Sequence, residues 1–128
     1  MTHARTREDN LREEQELTTS LDEVERQRKR LQVFENEVLA FRSGSLYHLN
    51  QIADYSLSQS DQLLLEDIIA DTQSLSQRLQ VKIDNRLEVL RKKAYHLEEQ
   101  IDGLRQERLV MSQVETETKV ERKENKHG

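Results

Sequence analysis

No proline interrupts the 128 residues of this chain. A proline inside a helix removes a hydrogen bond and clashes with the preceding turn. Its absence, with only three glycines, leaves long stretches with nothing to stop a helix. The apolar residues show that helix is what forms. In the first half they run Leu17, Leu21, Val24, Leu31, Phe34, Val38, Phe41, Leu49 and Ile52. In the second they run Leu65, Ile68, Leu75, Leu79, Ile83, Leu87, Leu90, Ala94, Leu97, Ile101 and Leu104. Steps of 3, 4 and 7 are the period of a coiled-coil helix. The composition agrees: 35% of residues are charged and 34% hydrophobic, against about 25% and 45–50% in globular domains. The chain is all-α.

A helix this long must reverse or remain a rod, and the segment Phe41–Leu65 decides which. Two breakers lie in it, Gly44 between serines and the polar patch Ser56–Ser60. The patch is the better turn, because Ser58 or Ser60 can cap a following helix with Asp61 in its first turn. It also gives arms of similar length, roughly 70–80 Å at 1.5 Å per residue. Paired residue numbers then sum to about 114. That register sets Asp22 and Glu23 opposite Arg91–Lys93, Arg28–Arg30 opposite Asp84 and Glu88, and Asp9 opposite Arg105. The expected fold is a long antiparallel two-helix hairpin, with helices about 8–55 and 60–115 and a kink or break near Gly44. Thr6 and Asp9 fit a capping box at the start. Residues 1–7 and 116–128 have little to bury and read as disordered.

Two departures from the pattern stand out. Two consecutive steps of four, from Leu79 through Ile83 to Leu87, form a stutter that unwinds a supercoil locally. Arg28 and Arg108 occupy seam positions. They set register or pack their aliphatic stems and leave their heads in water, the reading favoured here.

Apolar density is uneven. Residues 31–70 hold 20 apolar side chains, and residues 1–30 hold 6. A hairpin buries one narrow stripe on each arm, so the excess near the turn needs another cover. That cover is a different protein, a second copy, or a folded-back segment of the chain. Leu39, Phe41, Leu46, Leu64 and Ile69 are the candidate partner-binding residues.

Chemistry finds little footing. The chain has no cysteine, which removes disulfides and thiolate sites. His3, His48, His96 and His127 have no ligand spacing. No glycine-rich phosphate loop or nucleophile elbow occurs. Carboxylates on a solvated helix lack the burial that tunes an acid or base. The expectation is a non-enzymatic protein with no cofactor or metal. A net charge of −5 and the absence of interleaved aromatics argue against nucleic acid. No apolar run approaches the ~20 residues of a membrane span, and the N-terminus has no apolar core of a signal peptide. The expected location is the cytoplasm, with any export by another route.

A short acidic chain without cysteine or proline, with two long helices and an apolar surface near the turn, resembles the small α-helical proteins associated with LXG toxins in Gram-positive type VII secretion. These are distant relatives of the WXG-type hairpins. The tryptophan-x-glycine turn of those hairpins is missing, and Phe41-Arg-Ser-Gly44 comes nearest to it. Tyr95 and Glu99 form a tyrosine-x-x-x-acid element of the export type, placed inside the second arm instead of a tail. The resemblance covers roughly residues 8–118. It implies a targeting factor or chaperone that binds the helical N-terminal region of a toxin, beside a second small helical protein, and is co-exported with its partner or remains behind. The alternative is a structural homodimer in which two hairpins form a four-helix bundle. A prefoldin-like holdase fits less well, since no strand-forming segment lies between the arms.

Overall fold

The computed structural model describes residues 6–127, with side chains as far as Val120. Two helices make up the fold, α1 (Arg7–Ala53) and α2 (Gln59–His127), packed against each other as an all-α hairpin. Both start on side-chain caps. The Asp9 amide donates to Thr6 Oγ1 and the Asp61 amide to Ser58 Oγ, each at 3.1 Å. Each cap satisfies one amide of a first turn that has no partner within its helix. Acidic residues, Glu8 and Asp9 in α1 and Asp61 in α2, complement the positive helix starts.

The reversal occupies residues 54–58, overlapping the expected Ser56–Ser60 but two residues earlier. Ser58 is the cap, so Gln59 and Ser60 already belong to α2. The end of α1 tightens, with the Asp54 amide bonded to the Gln51 carbonyl and the Tyr55 amide to that of Ile52, both at 3.1 Å. Among the described residues no positive φ is needed to make the turn. The break expected at Gly44 is absent. α1 runs through it, because a glycine without a left-handed φ lowers helix propensity and does not terminate a helix.

α2 also continues past its expected end, as helix to His127. The stretch after Val114 is rich in Glu and Lys, which are strong helix formers. The Thr116 and Thr118 hydroxyls bond back to the carbonyls of Ser112 and Val114 at 2.9 Å. Residues 113–120 are all exposed, and Glu115 among them pairs with Arg7 of α1 at 3.9 Å. At the other end, residues 1–5 of the expected disordered N-terminus lie outside the described residues.

The hairpin consists of two compact units, one of residues 1–25 with 92–128 and one of residues 26–91. In the first, Val24 of α1 is buried, with Ala94, Ile101 and Leu104 of α2. Leu17, Leu21 and Leu97 are half-buried beside them. The polar residue Asn10 is fully enclosed there.

In the second unit, among the described residues, only Leu65, Ile83 and Leu90, all from α2, are buried hydrophobics. Phe34 and Phe41 are not seam residues as expected; both are exposed. The inward positions of α1 here are Arg28, Leu31, Glu35, Val38, Arg42, Ser45 and Leu49, all half-buried. They alternate steps of 3 and 4 without a slip. Placing Phe34 inward after Arg28 and Leu31 would need two successive steps of 3, which overwinds the pair. Steric phase therefore overrides side-chain hydrophobicity. Across from them stand Ile69, Thr72, Ser76, Leu79 and Gln80, also half-buried. The stutter is where Leu79 and Gln80 share a level.

Register follows the sequence expectation. Partner numbers sum to 114 for Asn10 with Leu104 and to 115 for Glu35 with Gln80. Two expected pairings differ: Arg105 bonds Glu14 at 2.7 Å, not Asp9, and Arg91 pairs with Glu88 of its own helix at 2.6 Å, not with Asp22 or Glu23. Asp9 lies five residues before Glu14, about 140° away around the helix.

Both glycines inside helices, Gly44 and Gly103, have open space where a Cβ would stand. Gly44→Ala and Gly103→Ala should each raise stability by about 0.8–1 kcal/mol, and the two should add. Urea unfolding followed by circular dichroism checks both values.

Candidate interaction surface

Position on α1 follows from the inward columns. The stripe on one side of them runs Gln27, Arg30, Phe34, Glu37 and Phe41 toward His48 and Ile52, again in steps of 3 and 4. On α2 the stripe facing the same way runs Asp61, Leu64, Ile68, Asp71, Leu75 and Lys82, reaching Arg86. Between them lies a groove of about 430 Å³ lined by Phe34, Val38, Phe41, Thr72, Leu75 and Leu79, among others. A smaller hollow continues it past Phe34 to Gln27, Arg30, Arg86 and Leu90. Phe41 is 75% exposed, Leu75 61% and Leu64 58%. These are larger side chains than several turned inward at the same level.

The five residues singled out from sequence do not form one patch. Phe41 and Leu64 lie on the groove face. Leu39 and Leu46, seven residues apart, lie on the opposite flank of α1, roughly 160° and 140° from Phe41 at 100° per residue. Leu39 is exposed and Leu46 half-buried. Ile69 belongs to the edge of the seam and is half-buried. Phe34, Ile68 and Leu75 belong to the surface as well, although their spacing alone counts them as seam. The signal that finds them is phase: continuing the alternation of 3 and 4 from Leu21 and Val24 skips Phe34.

Why these residues stay outside is explained by what is inside. The seam of this unit is polar at its centre. Gln80 Nε2 donates to Glu35 Oε2 across the helices at 2.7 Å and to Asp84 Oδ1 at 2.9 Å. Its own Oε1 is buried without a partner. Such an arrangement fixes register and stabilises little.

The first unit carries a second polar cluster. Asn10 Nδ2 donates to the Leu104 carbonyl at 3.0 Å, and Arg108 Nη1 donates to Asn10 Oδ1 at 3.3 Å. Arg108 also pairs with Glu14, which accepts from Arg105 as well. Arg108 therefore ties the helices together instead of merely lifting its head into water. Asn10 stands seven residues before Leu17, so one more heptad step back finds it in the sequence. The Arg108 and Arg105 hydrogen bonds hold the Glu14 carboxyl below its usual range. That favours the ionised form, the opposite of what a proton donor requires.

Tyr95 is exposed in the first unit, and its bond to Glu99 one turn on raises its phenol pKa. The pair is a surface i,i+4 contact within α2. His48 packs edge-on against Tyr47, ring centroids 5.7 Å apart. Among the described residues no group of three His, Cys, Asp or Glu could hold a metal, and no helix is long and apolar enough to cross a membrane. His3 lies outside the described residues, as does the side chain of His127.

Comparison with protein-family models, with curated proteins and with solved structures finds no match to the chain.

Arg108→Met keeps the stem and removes the donors, leaving buried Asn10 Oδ1 without its partner. It should cost about 1–3 kcal/mol, read by urea unfolding. Glu14 adds a pH dependence. Because its folded pKa is lowered from 4.5, its contribution is complete above that value and is lost as pH falls through the folded pKa. In the Glu14→Gln variant this acid-side loss should be absent, so the stability gap from the parent narrows below about pH 4.5.

Proposed function

We propose that this chain is a non-enzymatic helical interaction protein that holds a helical segment of another protein against the turn-proximal unit of its hairpin. The observation that carries the reading is an inversion. In residues 26–91 the inward positions include Arg28, Glu35, Arg42, Thr72, Ser76 and Gln80, while Phe34, Leu39, Phe41, Leu64 and Leu75 stand exposed. An amphipathic helix laid along such a surface buries its apolar stripe there. Resemblance to the LXG-associated proteins of type VII secretion gives that helix an identity, the N-terminal helical region of a toxin, with a second small helical protein beside it. The chain then acts as a targeting factor, keeping the toxin soluble in the cytoplasm until export.

The flank bearing Leu39 and Leu46 is the partner's seat in this reading. Leu39→Glu with Leu46→Glu should leave helicity intact, at a cost near 1 kcal/mol, and lower partner affinity by at least tenfold. The measurement is co-purification with the helical N-terminal region of an LXG toxin encoded beside this chain, followed by titration calorimetry. No stoichiometric complex with that region, or unchanged affinity in the double variant, would sink the proposal.

A further inference from the structure

The groove face of residues 26–91 has a second property. Charge along it is segregated by level. Toward the turn it carries Asp61 of α2, and nearer its centre Asp71 of α2 and Glu37 of α1, while the sequence between Arg42 and Arg78 holds no lysine or arginine. Past that stretch the face turns basic, with Lys82 and Arg86 on α2 and Arg30 on α1, all exposed. The apolar groove of Phe34, Phe41 and Leu75 lies between the acidic and basic ends. A surface with Asp61 at one end, a largely apolar middle and Lys82, Arg86 and Arg30 at the other brings opposite charges together at its ends after a half-turn about its centre.

We infer that a second copy of this chain covers the groove face, in an antiparallel dimer whose twofold axis passes at the level of Phe41. The half-turn lays α2 along the partner copy's α2 in opposite directions. Residue numbers across the axis then sum to about 147 on α2 and 82 on α1. Asp61 comes level with Arg86 of the other copy, Ile68 with Leu79, Ile52 with Arg30, and Phe41 with its own counterpart. The parallel alternative, with both turns at one end, brings the Asp61 ends of the two copies to one level and is opposed by like charge.

Size agrees with this occupant. From Asp61 to Arg86 is about 38 Å of helix. Two helices side by side are about 20 Å wide. The strip is therefore roughly 750 Å² on each copy, that of a standard stable interface. A twofold contact uses the same patch on both copies and closes, so it ends at a dimer. The inference rests on the reading of this unit as a docking surface but assigns its two sides differently. The groove face takes the second copy, and the Leu39–Leu46 flank remains open to the partner protein.

The chain has no cysteine, which makes cross-linking a clean test. Phe41→Cys in the full chain should form a disulfide-linked dimer under mild oxidation. Tyr47→Cys, exposed on the outward side of α1, should remain monomeric in denaturing gels. Sedimentation of the unmodified chain should show a dimer whose dissociation constant rises with salt. Asp61→Arg or Arg86→Glu alone should weaken it about tenfold, and the two together should restore it. A monomer at all accessible concentrations, preferential cross-linking through position 47, or no rescue in the double charge swap would overturn the inference. The outcomes also separate the two proposals. A monomer that binds the toxin region overturns the dimer alone. A dimer that cross-links through position 41, is rescued by the double charge swap and binds no toxin region supports the dimer and removes the toxin reading.

Discussion

Two helices packed along their length leave each other only two inward columns, and those columns must keep one phase. This constraint governs the protein more than the hydrophobicity of any one residue. In residues 26–91, α1 follows the alternation of 3 and 4 through Arg28, Glu35 and Arg42, although Phe34 and Phe41 stand one position away. A local slip to bring the phenylalanines inward would overwind the pair at that point. Keeping phase instead puts charged and amide groups at the interface and large apolar groups outside it.

The polar positions that result contribute unequally. In the first unit, Asn10, Glu14, Arg105 and Arg108 satisfy one another across the helices. Their worth is register, because a one-step shift would leave Asn10 buried without a partner. In the second unit, Gln80 answers Glu35 but leaves its own oxygen unpaired. Leu65, Ile83 and Leu90 are its only buried hydrophobics among the described residues, while Phe34, Phe41, Leu64 and Leu75 stand exposed. A second surface laid on the exposed phenylalanines and leucines would bury the apolar area that the seam does not use, at about 25 cal/mol per Å².

Much of the architecture was legible beforehand. Lack of proline, the 3–4 spacing and the Ser58 cap led to two helices with a reversal within a few residues of the observed one. Charge matching led to the register seen at Asn10 with Leu104. The misreadings have physical causes. Gly44 looked like a breaker by residue type, yet a glycine with ordinary helical φ merely weakens a helix. The stretch after Val114 looked like a tail because it buries nothing, but helix formation there needs only backbone hydrogen bonds and good propensity. Spacing taken one apolar residue at a time puts Phe34 and Phe41 in the seam, whereas its phase puts them outside.

By itself the sequence determined that the chain is helical, where it reverses and how its arms align, because these depend on local propensity, caps and charges that act over a few residues. It also located the apolar excess around the turn. Only the tertiary structure decided which of those residues lie inside. Burial depends on the rotational phase of one helix against the other, a property of the packed pair that a single strand of spacings leaves open. That phase divided the excess into two flanks, Phe41 and Leu64 on one and Leu39 and Leu46 on the other. It also put Arg108 across from Asn10 and Glu14 as a link between the helices.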